Sequence, residues 1–175
     1  NKRIRDLWYS MDSAAVQVIT EGGSVGVNGL LLAREYDYDN GADCLTILLP
    51  SGRKLYYINP SIGQNEWGRP SISYMGMDQK TKRWKRIETY GGKLVENCVQ
   101  AIARDCLAAS IDRLEAAKLP VVFHVHDEVV IDVAPFADED TMLSTVCSIM
   151  GEPVPWAPDL PLKAAGWVGY YFTKD

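Results

Sequence analysis

His124, His126, Asp127 and Glu128 stand together in the stretch FHVHDEVVIDV, Phe123 to Val133. Two adjacent acids beside two imidazoles allow two kinds of chemistry. Carboxylate oxygens suit a hard divalent ion such as Mg2+, which keeps several waters of its own. His-x-His spacing on one strand also suits zinc. The apolar runs on either side read as strands, about 121–126 and 128–134, in which side chains alternate between faces. Phe123 and Val125 then share one face and His124 and His126 the other. On the return strand Val129, Ile131 and Val133 oppose Glu128, Val130 and Asp132. The turn is very tight, with Asp127 and Glu128 at or beside its tip, and stiff placement is what a metal ligand needs. Enzymes that transfer phosphoryl groups collect acids from separate strands to hold two ions roughly 4 Å apart. The plainer alternative is a turn-favouring Asp with a solvated Glu. The high apolar content predicts that both strands are buried.

Upstream, Lys93, Asn97, Gln100 and Arg104 are spaced by four, three and four residues, one face of a helix. Amides can donate to minor-groove acceptors and cations can meet phosphates; an ordinary solvated face reads the same way. Val95, Val99, Ile102, Cys106 and Ala109 form the apolar stripe. Before this helix comes KTKRWKR, Lys80 to Arg86, a basic run in an acidic chain of net charge −5. Lys82, Arg83, Lys85 and Arg86 around Trp84 fit a phosphate-contacting strand with an aromatic anchor, or an edge strand protected by lysines. Gly91-Gly92 would let a phosphate approach a helix N-terminus, or would simply form a turn.

These residues need elements to hold them. Ile4, Leu7, Trp8, Met11, Ala15, Val18 and Ile19 predict an amphipathic helix ended by Gly22-Gly23. Short strands are expected at about 25–34, 42–49 and 53–59, the last two joined as a hairpin at Pro50-Ser51-Gly52. Tyr36 to Asn40 reads as a polar loop and 60–70 as an excursion. Two more short strands are expected near 71–76 and 82–88. A long helix runs from about Lys93 to Ala117 and stops before Pro120. A short helix, Asp138 to Met150, has Met142, Val146 and Ile149 on one face and Asp138 as its N-cap. The tail from Pro155 is expected to be extended with one last strand. Strands and helices mix without βαβ alternation, so the class is α+β.

The 175 residues are 47% hydrophobic and 23% charged, which predicts a globular chain with a sizeable core. The negative charge argues against a stand-alone DNA-coating module. The four cysteines, Cys44, Cys98, Cys106 and Cys147, form no CxxC pair and read as reduced core thiols, as in a cytoplasmic protein. There is no signal peptide and no membrane-spanning run. The first residue is Asn1, already in helix, as expected of a piece of a longer chain.

Three segments together, TYGGKLVENCVQAIARDCL, LPVVFHVHDEVVIDV and LPLKAAGW, resemble family A DNA polymerases, the bacterial polymerase I-like enzymes, in their phage and prophage branch. LPSGRKLYY resembles that branch too. The triplet His126-Asp127-Glu128 matches motif C on the palm hairpin. The resemblance implies an antiparallel palm-type sheet, its motif C hairpin packed on the long helix, with an N-terminal helix and extra hairpins. It implies a helix after the fingers (1–23), a β-rich region (24–89) and palm with motif C (90–175). It implies template-directed nucleotidyl transfer from a dNTP to a primer 3′-hydroxyl, with two Mg2+ ions, or Mn2+ in their place. Asp127 would ligate metal, Glu128 would support the metal site and His126 would lie near the primer terminus. Gln100 would contact the minor groove of primer–template DNA, and Lys93 stands near a common Arg. One departure is that Asn97 precedes Gln100 by three positions where the family has four; Glu96 holds the four-back place.

The motif A acid and the fingers helix are not in these residues; Asp12 in MDSAAV is a superficial echo within a helix. The chain alone is therefore expected to be inactive and to bind Mg2+ poorly, its missing upstream part being a partner. The location implied is the cytoplasm of a bacterial or phage-infected cell. Two rivals are a non-catalytic prophage remnant or interaction module, and a small metal-dependent hydrolase built on His124, His126 and Asp127.

Overall fold

The computed structural model describes residues 1–39, 41–64, 68, 70–134 and 137–173. They form two compact units, Asn1–Gln100 and Ala101–Asp175. The class is α+β with antiparallel sheets.

The first unit opens with helix α1, Lys2–Glu21, capped by the Asn1 side chain, which accepts from the Arg3 N–H. Its buried residues Met11, Ala14, Ala15, Val18 and Ile19 recur every three or four positions, so one stripe faces inward. That stripe packs across β1 (Ser24–Val27), β2 (Leu30–Asp37), β3 (Ala42–Leu48) and β4 (Lys54–Gln64). With β5 (Pro70–Met77) and β6 (Trp84–Thr89) these make a six-stranded meander in chain order. Leu32, Leu45 and Ile47 are fully buried. Arg34 on β2 pairs with Asp43 at 2.7 Å and donates to the Ile19 carbonyl at 2.6 Å. It thereby supplies a cation at the end of α1, whose last turn has none.

Three expectations need correction here. Residues 25–34 are two strands, because Asn28 (φ 46°) and Gly29 (φ 81°) make a left-handed two-residue turn that pairs Val27 with Leu30. Left-handed conformation at both central positions is the type I′ geometry that matches strand twist, and Asn-Gly favours it. The excursion at 60–70 is strand as far as Gln64. Its irregularity is a bulge between Ile58 and Ser61, with Asn59 at φ 48°; Asn65, Glu66, Trp67 and Arg69 lie outside the described residues. Similarly, β2 continues to Asp37, so the polar loop is shorter than expected, and its Asn40 is not among the described residues.

Helix α2, Gly91–Ala116, begins in the first unit and ends in the second. Leu94, Val95 and Cys98 are buried in its first half, and Ala101, Cys106, Leu107 and Leu114 in its second. Val99, expected on the apolar stripe, is 60% exposed. The buried face is rotated toward Leu94 and Cys98, four residues apart. The helix ends in a Schellman motif: Leu119 N–H reaches the Leu114 carbonyl and Lys118 N–H the Glu115 carbonyl, with Lys118 left-handed at φ 64°.

In the second unit β7 (Val121–Val125) and β8 (Glu128–Ile131) form a two-stranded sheet of their own. They are not buried as expected. Val122 is 61% and Phe123 41% exposed, and no residue of either strand is fully covered. A two-stranded ribbon has two faces, and the described residues do not cover both. Helix α3, Glu139–Met150, follows Asp138, whose carboxylate accepts from the Thr141 hydroxyl. The expected apolar face of α3 is half-buried rather than core. No strand forms among residues 151–173; Val154 makes only an isolated bridge with Ala157. Arg113 anchors this tail by donating to the carbonyls of Glu152 and Pro153 at 2.9 and 2.7 Å. The four cysteines are free; Cys44, Cys98 and Cys106 are buried and Cys147 is half-buried. Among the described residues no helix is long and apolar enough to cross a membrane.

Candidate functional site

Asp127 occupies the tip of the β7–β8 hairpin. Val125 pairs with Glu128, so His126 and Asp127 alone make the turn. His126 takes the left-handed conformation at φ 53°, which His adopts more readily than most residues. Cross-strand partners share a face, which puts Phe123 with Val130 and His124 with Val129. His126, Asp127 and Glu128 are exposed. A two-residue turn closing a ladder leaves the backbone at Asp127 little freedom, and its carboxylate faces water rather than a partner among the described residues.

His124 makes a contact of its own. Its Nε2 lies 3.2 Å from a guanidinium nitrogen of Arg104. Arginine nitrogens only donate, so Nε2 is the acceptor in this contact. Among the described residues no group of three or more His, Cys, Asp or Glu is arranged to hold a metal ion. The tip presents two adjacent carboxylates, Asp127 and Glu128, to solvent.

The polar stripe of α2 divides. Glu96 Oε1 accepts from Lys93 Nζ at 2.8 Å and from Gln100 Nε2 at 3.2 Å. The Glu96 hydrogen bond raises the Lys93 pKa, so Lys93 is firmly cationic. Gln100 and Lys93 remain exposed, while Asn97 is half-buried and donates to the Tyr57 hydroxyl at 3.0 Å. Tyr57, on β4, is 5% exposed, and burial pushes its hydroxyl up to about 12, against the lowering effect of the Asn97 bond. Asn97 is thus tied to the sheet. Beside Gln100 an open apolar depression is lined by Trp8, Tyr90, Val95 and Val99, with Glu96 at its margin.

Gly91-Gly92 is neither a bare turn nor an open anion cradle. The Gly91 N–H donates to Asp12 Oδ1 at 2.8 Å. A carboxylate on α1 therefore occupies the N-terminus of α2, where partial positive charge favours an anion. A Cβ at Gly91 would overlap the Trp8 carbonyl oxygen, so the two helices touch backbone to backbone. Asp12 is a structural cap.

The basic run forms the β5–β6 hairpin. Asp78 Oδ1 accepts from the N–H groups of Lys80 and Thr81 and from the Thr81 hydroxyl, and Oδ2 pairs with Lys85 at 2.8 Å. Lys85, then Thr81, hold the Asp78 carboxyl far below the usual carboxylate range. Arg86 Nη1 reaches the Asn59 carbonyl, Ser61 Oγ and Ser73 Oγ at 3.1, 2.8 and 3.2 Å, fastening the bulge of β4. Sequence reasoning missed Tyr57 and Asp78, and the pairing of Glu96 with its neighbours. Glu96 was legible from its i+3 and i+4 spacing to Lys93 and Gln100, and Asp78-x-x-Thr81 from turn chemistry; nothing local signals Tyr57.

A DNA polymerase of Bacillus phage SP02 is 44% identical to this chain over 177 aligned residues, taking in 100% of the chain and 26% of that protein. The chain is homologous to a phage DNA polymerase and spans about a quarter of its length. No protein-family model matches it, and no solved structure matches it.

Proposed function

We propose that this chain is the C-terminal palm portion of a family A, DNA-directed DNA polymerase of the phage type. The helix 1–23 would follow the fingers, 24–89 would be a β-rich region, and 90–175 palm with motif C. The observation that carries the reading is the 44% identity running through the whole chain to a phage DNA polymerase. The tip geometry supports it, since His126-Asp127-Glu128 stands at a two-residue turn with its carboxylates in solvent. The half-exposed apolar hairpin is what such a portion would present.

On this reading Asp127 is one ligand of a Mg2+ pair that a second acid, from another segment of the polymerase, must complete; Mn2+ is an alternative ion. Those ions would stabilise charge on the triphosphate of a dNTP. The chain's own contribution is placement: Asp127 is held at a stiff tip, Glu128 backs it, and His126 lies by the primer terminus. Lys93, Gln100 and Arg104 line DNA on α2. A second reading is a prophage remnant that keeps the palm elements without activity; a lone acidic pair in this chain fits either reading.

Primer extension by the complete protein that carries this chain tests both. Losing even the residues that orient metal ligands costs about 10–100-fold. Asp127→Ala should therefore lower nucleotide incorporation by more than about a hundredfold, with primer–template affinity within about threefold. Incorporation at near the unsubstituted rate refutes the metal assignment. A complete protein that extends no primer, while it still binds the duplex, leaves the remnant.

A further inference from the structure

The cations of the basic run are not equivalent. Lys85 is paired with Asp78, and Arg86 is turned onto the β4 bulge. Lys82 and Arg83 lie in the loop between β5 and β6, exposed and with no side-chain partner among the described residues. The loop is built rather than slack. Besides the Asp78 side-chain bonds, Asp78 N–H reaches the Arg83 carbonyl at 2.9 Å and Lys82 N–H the Asp78 carbonyl at 2.8 Å. Lys82 itself is left-handed at φ 53°, a conformation that disfavours a long side chain and persists only where surroundings enforce it.

Behind this tip lies an uncovered apolar platform. Met77 and Trp84 are cross-strand partners, so they share a face, and they are 50% and 55% exposed. Arg86 lies one pleat further along the same face, where its bonds to Ser61 and Ser73 hold it. Edge protection does not account for this arrangement. It calls for charge along the strand, whereas here the strand cations are tied down and the free ones sit beyond the strand's end. It also gives no reason to expose a tryptophan.

We propose that the β5–β6 hairpin is a docking surface for single-stranded nucleic acid, with Lys82 and Arg83 on successive phosphates and Trp84 stacking an unpaired base. A duplex hides its base faces within its own stack, so stacking on the Trp84–Met77 platform selects an unpaired strand over a duplex. The inference rests on the nucleic-acid reading of this chain and adds to it a site distinct from the polar face of α2.

The test is fluorescence anisotropy of the 175-residue chain with a labelled oligothymidylate of about 16 nucleotides, across a salt series. Each single-strand phosphate contact adds about 0.7 to the slope of log affinity against log salt. Lys82→Gly with Arg83→Gln should lower that slope by about 1.4. Glycine relieves the left-handed backbone, so this variant should fold. Trp84→Ala should weaken binding by roughly tenfold at fixed salt and leave the slope unchanged. Lys54→Met, removing a β4 cation already paired with Glu35 on β2 across β3, should change neither. An unchanged slope in the Lys82/Arg83 variant, or unchanged affinity in Trp84→Ala, overturns the proposal. If primer–template duplex binding still weakens in Gln100→Ala, the polymerase reading survives that failure. Absence of both single-strand and duplex binding at about 20 mM salt overturns this proposal together with the DNA role of the α2 face.

Discussion

Replacing Asn97 by Ala should destabilise the first unit, and the structure sets the size. The Asn97 amide donates to the Tyr57 hydroxyl at 3.0 Å. Tyr57 is 5% exposed, so its oxygen cannot readily turn to water once the amide is gone. A buried polar group left unpaired costs about 1–3 kcal/mol. Tyr57→Phe is milder, because the half-buried amide it strands can still find water; about 1 kcal/mol is expected, the net value of one hydrogen bond. Ala at 97 with Phe at 57 removes both polar ends. The double variant should then be more stable than the sum of the single losses predicts, by about 1 kcal/mol of coupling. Urea unfolding of the four proteins measures all three quantities. In parallel, Asn97→Ala should leave duplex affinity within about twofold, whereas Gln100→Ala, at an exposed side chain that donates to Glu96, should weaken it more. An Asn97→Ala chain of unchanged stability whose duplex affinity falls would refute the reasoning: the amide would then serve the DNA groove rather than the sheet.

Gly91→Ala should cost about 2 kcal/mol or more, because the new Cβ meets backbone atoms of α1, with Asp12 N at 2.8 Å. The usual helix preference of Ala over Gly, about 1 kcal/mol, runs the other way, so a stabilised variant in urea unfolding would show that the helices are further apart. Tyr57 gives a pH signature. Its hydroxyl is raised to about 12 by burial, so the stability it contributes is whole below the ordinary phenol range near 10 and is lost as pH rises through about 12. Tyr57→Phe should flatten that part of a stability–pH profile; an identical fall in both proteins would contradict the assignment. Asp127→Ala and the β5–β6 hairpin variants, with the outcomes given above, test the metal ligand and the single-strand surface.

Several elements could be read without coordinates because their signals are local. Periodicity of three and four located α1 and α2. Pro50-Ser51-Gly52 located the β3–β4 hairpin, which closes through the Leu49 N–H to Arg53 carbonyl bond at 2.8 Å. The tight tip at Asp127 followed from an acid pair between two β-rich runs. Asn28-Gly29 was equally local and was overlooked inside a longer apolar run.

Tertiary structure alone decided what each polar group does. Asn97, Gln100 and Lys93 look alike as a stripe, yet a rotation of the buried face toward Leu94 and Cys98 turned Asn97 onto Tyr57, 40 positions earlier in the chain. The same packing set Asp12 on the N-terminus of α2 and Arg86 on the β4 bulge, and it left Lys82, Arg83 and Trp84 outside. Sequence determines which side chains can carry charge, donate or stack, because those are properties of the residue. Whether that capacity is used internally or presented to a partner depends on distances between segments far apart in the chain, and those exist only after the elements have packed.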